Sequence, residues 1–181
     1  MCPQLKSANR DFTDYNADAR GEMQRRLMLM RHAKSSWKSQ VPTDHERPLN
    51  ERGRRDAARV GKRLAKLGWV PDLVVSSDSR RTEETWERIQ KSFPNARVRF
   101  TRVLYAGGPS ELRSEVARLS GEVRTVLVLG HNPGWEEAVT EVSGREMRIT
   151  TANVVLLEGE GATWREAPRG RERLLVRPKQ L

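Results

Sequence analysis

The sequence has a single cysteine, Cys2, and no apolar run long enough to cross a bilayer. One cysteine excludes an internal disulfide and a metal cluster held by several cysteines. Residues 1–25 also lack the apolar core of a secretory signal peptide. Together these absences predict a cytoplasmic protein without a membrane segment.

Charge of one sign is in clear excess, with 34 Lys and Arg against 24 Asp and Glu and a formal net charge of +10. Acidic and basic side chains balance within residues 1–25, which have little periodicity, so the basic excess lies later in the chain. We expect a flexible N-terminal extension over 1–25 and one domain over 26–181. A basic domain suits nucleic acid, an acidic surface or an anionic substrate.

Short apolar runs alternate with amphipathic segments along the rest of the chain. The pattern predicts strands at 25–31, 71–77, 97–105 and 124–130, and helices at 51–67, 79–91, 110–119 and 133–142. Residues 153–159 and 162–167 are predicted to form a closing antiparallel hairpin. Strands that alternate with helices favour an α/β fold, with a mainly parallel sheet and helices on both faces.

Polar side chains follow three of the predicted strands. Arg31 and His32 come after the first strand, Ser76 and Ser77 end the second, with Arg80 and Arg81 just beyond, and His131 follows the fourth. In such sheets ligands bind beyond the carboxyl ends of the strands. We therefore expect these side chains to meet at one cationic rim.

Two arginines and two histidines in one pocket suit a phosphoryl group. The guanidinium fork matches phosphoryl oxygens and neutralises their charge without a metal ion. A neutral imidazole is a nucleophile near neutral pH, while a second imidazole can donate protons. The rim therefore predicts phosphoryl transfer through a phosphohistidine.

Four stretches of the sequence, "RHAKSSW", "DHERPLNERGRRDA", "VVSSDSRRTEET" and "GHNPG", occur in the order typical of the histidine phosphatase superfamily. Over residues 26–158 the chain resembles the SixA-type phosphohistidine phosphatase branch of that superfamily. The resemblance implies a three-layer α/β/α fold of the phosphoglycerate mutase type and a reaction that uses no metal and no cofactor. It also implies that His32 is the phosphorylated nucleophile, that Arg31 and Arg81 bind phosphate, and that His131 is the second histidine.

Other residues around the motifs are weaker candidates. Arg47, Ser35 and Asn132 are predicted to contact the phosphate, although each could instead shape a loop or cap a helix. Asp44 and Glu46, on the loop before Pro48, are the candidates for a general acid, since no carboxylate precedes Glu111 in the segment where phosphoglycerate mutase relatives carry theirs. A phosphohistidine expels imidazole, a better leaving group than an alkoxide, so it needs less help from an acid. The absence of an obvious general acid therefore favours N–P bonds or activated esters as substrates. His45 is expected at the surface, and the five tryptophans are expected to pack in or near the core.

The sequence thus predicts a metal-independent phosphatase that acts on phosphohistidine in proteins. A phosphatase of small phosphomonoesters fits the same residues. A basic module that binds nucleic acid stays open as a different class, because seven Lys and Arg lie between 51 and 67, but it lacks a recognised nucleic-acid motif. The oligomeric state and the substrate itself are left open.

Overall fold

The computed structural model describes residues 24–166 and 171–181, so the predicted extension over 1–25 lies almost wholly outside the described residues. Within these residues there are six strands and four α-helices, which alternate along the chain until the last two strands. The strands are β1 (Gln24–Arg31), β2 (Leu73–Ser77), β3 (Arg97–Thr101), β4 (Thr125–Gly130), β5 (Val154–Glu160) and β6 (Arg171–Val176). The helices are α1 (Glu51–Lys66), α2 (Arg80–Ile89), α3 (Pro109–Ala117) and α4 (Gly134–Ser143).

All six strands form one sheet in the order β3-β2-β4-β1-β5-β6. β1 pairs in parallel with β4, and β2 pairs in parallel with both β3 and β4. β5 and β6 form antiparallel pairs at one side of the sheet. The mainly parallel sheet is therefore confirmed, and the parallel strands bring their carboxyl ends to one rim.

Each face of the sheet carries its own core. Along β1, Met28 and Met30 pack with residues of α1 and α2, whereas Leu27 and Leu29 pack with residues of α3 and α4. This alternation is the two-residue period of a strand buried on both faces. The three-layer α/β/α fold expected from the resemblance is confirmed.

Local signals fix the ends of α1. The Asn50 side chain accepts a hydrogen bond from the Gly53 amide at 2.8 Å, as an N-cap residue does. At the other end the helix stops at Lys66, just before Gly68. The predicted helix over 51–67 agrees with these bounds to within one residue.

The predicted hairpin is wrong in its second strand. Residues 162–166 form a turn, and the partner of β5 is β6, Arg171–Val176. Trp164 explains the difference, because its indole is buried and its Nε1–H donates to Val123 O at 2.8 Å. The side chain thus anchors the turn to the core.

Two further details differ from the sequence pattern. β3 ends at Thr101, because its hydroxyl accepts a hydrogen bond from the Val103 amide and starts a single 3-10 turn over Arg102–Leu104. Trp37 is 75% exposed, whereas the other four tryptophans are buried as expected. Within residues 24–166 and 171–181 no helix is both long and apolar enough to cross a membrane.

Candidate active site

The two histidines of the motifs meet at the carboxyl ends of neighbouring strands. His32 follows β1 and His131 follows β4, and Arg31 lies opposite Gly130 in the pairing of these strands. The ring centroids are 5.1 Å apart, and both side chains are 7% exposed. The sheet register therefore sets the spacing of the imidazoles.

His32 is held as a neutral ring with a defined tautomer. Its Nδ1 lies 2.7 Å from Ala33 O, and since a carbonyl only accepts, Nδ1 carries the proton and Nε2 keeps its lone pair. Burial, together with the charges of Arg81, Arg31 and Arg47, lowers the pKa of His32 to about 3, although the contact with the Ala33 carbonyl raises it. At neutral pH the ring is uncharged, and the lone pair on its Nε2 is available.

The turn after His32 is fixed by two helices. The Ala33 amide donates to Thr85 Oγ1 of α2 at 3.0 Å, and the Asn50 amide donates to Lys34 O at 3.0 Å. α1 approaches this turn so closely that a Cβ on Gly53 would lie 2.2 Å from Lys34 O. These contacts place the nucleophile by backbone atoms rather than by a mobile loop.

His131 lies against the end of β2. Its Nε2 is 3.0 Å from Ser77 Oγ and 3.4 Å from Ser79 Oγ. Burial lowers the pKa of His131 to about 2, and the neighbouring His32 and Arg81 contribute to the shift. Its Nδ1 is buried and has no hydrogen-bond partner among the described residues.

Arg31 and Arg81 are anchored through their terminal nitrogens. Arg31 Nη1 donates to Ile149 O at 2.9 Å, and Arg81 donates to Asp44 O at 2.6 Å and to Asp44 Oδ2 at 3.0 Å. The Nε atoms of both arginines are buried and lack a partner within the described part of the chain. Each guanidinium thus keeps a donor that an anion beside His32 could use.

Arg47 completes the cationic wall and brings Trp37 to the site. Arg47 Nε is 2.8 Å from Asp44 Oδ1, and its guanidinium carbon lies 3.5 Å from the centroid of the Trp37 ring. Its Nη1 is buried without a partner among the described residues. The exposed indole therefore packs on an arginine of the pocket instead of on the core.

Tyr105 is a residue that the sequence reasoning missed. Its ring lies edge-on to His131 and to His45, with centroids 5.5 Å and 4.8 Å apart, and its hydroxyl donates to Asp44 Oδ2 at 2.9 Å. Its position just beyond β3 could have identified it, because ligands in such sheets bind beyond the carboxyl ends of the strands, β3 included.

Of the two candidate carboxylates, Asp44 lies in the site. Burial raises the pKa of Asp44, but the hydrogen bond from Tyr105 and the charges of Arg81 and Arg47 outweigh it and hold the pKa below its ordinary value. Glu46 is exposed and accepts a hydrogen bond from the Thr43 hydroxyl. Asp44 is thus ionised at neutral pH, whereas Glu46 makes its hydrogen bond within its own loop.

Ser35 and Asn132 have structural contacts at the edge of the site. Ser35 is buried and forms an isolated bridge with Leu49 across the loop. Asn132 Nδ2 donates to Ile149 O at 2.9 Å, the same carbonyl that receives Arg31. The amide of Ile149 is itself fixed by Glu136 Oε1 at 2.8 Å, so this segment positions Arg31.

Comparison with known proteins places this site in a family. The model of the histidine phosphatase superfamily, branch 1, matches residues 27–104. An uncharacterized chloroplastic protein of Arabidopsis thaliana is 39% identical over 168 residues, which make up 87% of this chain and 77% of that protein.

Two solved structures with the provisional name phosphohistidine phosphatase SixA have the same fold. The structure from Nakamurella multipartitia is 31% identical with a TM-score of 0.76, and the alignment covers 86% of this chain and 96% of that one. The structure from Agrobacterium tumefaciens is 25% identical with a TM-score of 0.75, over 85% and 98% of the two chains. With the paired histidines at the strand ends, these matches show that the chain belongs to the histidine phosphatase superfamily and is a phosphatase of its SixA type.

Proposed function

We propose that the protein hydrolyses phosphohistidine in other proteins, through a phosphohistidine formed on its own His32. The observation that carries the proposal is the fixed tautomer of His32, whose Nδ1–H is engaged by Ala33 O and whose Nε2 lone pair is free to attack. A neutral ring at pH 7 needs no base to activate it.

Donors around His32 supply the charge stabilisation. Four buried nitrogens without partners in the described residues belong to the side chains beside it. Three are guanidinium donors, Arg31 Nε, Arg47 Nη1 and Arg81 Nε, and the fourth is His131 Nδ1, which donates in the tautomer that carries the proton there. A buried donor left unpaired costs about 1–3 kcal/mol, which a phosphoryl oxygen in contact with it would recover. Preorganised donors of this kind stabilise the charge of a transferring phosphoryl group without reorganisation.

The first step transfers the phosphoryl group. Nε2 of His32 forms a bond to phosphorus as the N–P bond of the substrate breaks, and the electron pair of that bond stays on the substrate nitrogen. The substrate ring carries a proton on its other nitrogen and therefore leaves as neutral imidazole. No strong acid is required, because imidazole is a good leaving group.

The second step releases phosphate. Water attacks phosphorus, the bond to Nε2 breaks with its electron pair returning to His32, and Asp44 accepts a proton from the water. An ionised carboxylate with a lowered pKa suits this base role better than the role of an acid in the first step.

The open mouth of the site favours a substrate carried on a protein. The Asp44 side chain is 51% exposed and Trp37 is 75% exposed, so the loop over 35–50 leaves the rim accessible. A surface histidine of a partner can reach such a rim without a cavity that encloses it. The SixA-type matches carry the same activity in their names, which supports this substrate class.

The test is to trap the intermediate. A protein phosphorylated with ³²P on histidine is mixed with the wild type, His32→Ala and His45→Ala, in buffer with and without a chelator. We expect acid-labile, base-stable label on the wild type and on His45→Ala, none on His32→Ala, and no effect of the chelator, because arginines neutralise the phosphate. Turnover by His32→Ala near the wild-type rate would refute the covalent mechanism, and hydrolysis of small phosphoesters alone would refute the protein substrate.

A further inference from the structure

A cationic groove runs between the second half of α1 and the segment that ends β6. We define it by its five basic lining residues, Arg59, Lys62, Arg63, Lys66 and Arg177. The cavity has a volume of about 500 Å³, and none of the active-site residues lines it. It is thus a surface separate from the catalytic rim.

The five cations of the groove have no acidic partner among the described residues. All five are exposed, and none forms an ion pair within residues 24–166 and 171–181. The first half of α1 differs, since Arg52 pairs with Asp56 and Arg54 lies 3.7 Å from Glu84. On the first half of α1 only Arg55 is a cation without an ion pair among the described residues, so four of the five unpaired cations of this helix face the groove.

The spacing of these cations disfavours the helix that carries them. Arg59, Lys62, Arg63 and Lys66 are three or four residues apart, so they share one face of α1. Like charges at such spacing repel each other and destabilise a helix. An anionic partner would reverse the sign of this contribution.

The apolar part of the groove narrows the chemistry of that partner. Leu174 is 41% exposed and Leu181 is 36% exposed, and both line the groove with the cations. No aromatic side chain of the described residues lines it, so nucleobases find no stacking surface. From Arg59 to Lys66 the helix rises only about 10 Å, which is short for tracking a polynucleotide. A partner that matches both the cations and the two leucines must offer acidic and apolar side chains together, and a protein segment does so.

We propose that the cationic groove docks an acidic, leucine-bearing segment of the phosphorylated protein substrate, an inference that rests on the proposed function. α1 links the two sites: its cap residue Asn50 contacts Lys34 beside His32, and Arg59 follows about 14 Å further along the helix. A protein can span this distance with its phosphohistidine at His32. A small phosphorylated molecule cannot.

The experiment compares two double variants of equal charge change. Lys62→Glu with Lys66→Glu alters the groove. The control pair, Arg97→Glu with Arg165→Glu, alters exposed positions on β3, at the opposite edge of the sheet, and on the turn over 162–166, and neither residue lines the groove. Each is assayed with an acidic protein domain phosphorylated on one histidine and with phosphoramidate. We expect the groove variant to lose about tenfold in kcat/KM on the phosphoprotein, mainly through KM, against less than about threefold for the control. Phosphoramidate hydrolysis should be unchanged in both.

Equal losses in both variants, or an equal loss on phosphoramidate, would overturn the docking proposal. A second arm measures binding alone, by fluorescence anisotropy with a labelled peptide of glutamate and leucine and with a single-stranded oligonucleotide of the same charge. Weaker peptide binding by the groove variant only supports docking, whereas a groove-dependent loss for the oligonucleotide alone refutes it. If the wild type hydrolyses neither phosphorylated substrate, the proposed function fails, while the peptide arm still decides the groove.

Discussion

Acidification from about pH 7 to pH 5 should destabilise the fold by about 4 kcal/mol through His32 and His131 alone. Both imidazoles are neutral in the folded chain, with pKa values of about 3 and about 2, against an ordinary value of 6.5. Well above pH 6.5 neither the folded nor the unfolded chain binds protons at these two histidines, so they do not lower the free energy of unfolding there. Below 6.5 the unfolded chain binds two protons that the fold does not accept until its own low pKa values are reached, so stability falls with pH.

The size of the effect follows from this difference in proton binding. One histidine that stays neutral in the fold and titrates at 6.5 when unfolded lowers the free energy of unfolding by about 2 kcal/mol over this pH range. His32→Asn removes one of the two groups, and the Asn amide can keep the hydrogen bond to Ala33 O. The variant should therefore lose about 2 kcal/mol less than the wild type over the same range.

The assay is urea unfolding followed by tryptophan fluorescence at both pH values, with the wild type and His32→Asn side by side. Carboxylates that titrate in both proteins cancel in the comparison. Equal losses for the two proteins, or an NMR signal of the His32 ring that titrates near pH 6.5 in the folded chain, would refute the reasoning.

Three further substitutions test single contacts of the site. Thr85→Val leaves the buried Ala33 amide without its acceptor, so we expect a loss of about 1–3 kcal/mol in the free energy of unfolding and a lower rate of His32 phosphorylation, while Thr85→Ser should retain both. Trp37→Ala removes the ring beneath Arg47; KM should rise by about threefold to tenfold with the urea midpoint unchanged, since an exposed indole adds little to folding, and a shifted midpoint with constant KM would contradict this. Gly134→Ala places a Cβ 2.1 Å from Gly107 O, a backbone atom that cannot rotate away; thermal unfolding should show a loss of about 1–3 kcal/mol or more, and wild-type stability would show that α4 shifts freely.

The sequence predicted those parts of the molecule that depend on local patterns. The two-residue alternation of β1 and the three- and four-residue spacing of α1 are set within single elements, so both were found to within one residue. Ligands in such sheets bind beyond the carboxyl ends of the strands, and this rule converts positions along the chain into proximity in space. It therefore predicted that Arg31, His32, Arg81 and His131 lie close together, as they do.

The misses depend on contacts between distant segments. The pattern predicts a strand at Trp164, but its indole donates a hydrogen bond to Val123 O, which lies 41 residues earlier in the chain. This contact holds Trp164 in a turn. Asp44 could be proposed as an acid because its carboxylate is close in sequence to the motifs, whereas its low pKa arises from Tyr105 and Arg81. Trp37 was assigned to the core by its type, and only the position of Arg47 shows the surface that it covers instead.

The backbone pairing of β1 with β4 fixes the spacing of the two histidines independently of the loop at the entrance to the site. Since Arg31 is paired directly with Gly130, the two histidine rings inherit their spacing from the sheet, whereas the loop over 35–50 contributes Asp44 and Arg47 to the site. A longer segment at positions 38–42, ahead of Asp44, would change which substrates reach the site and leave the spacing of the two rings unchanged. Relatives can thus change their substrate selectivity by insertions in this one loop while they keep the paired histidines.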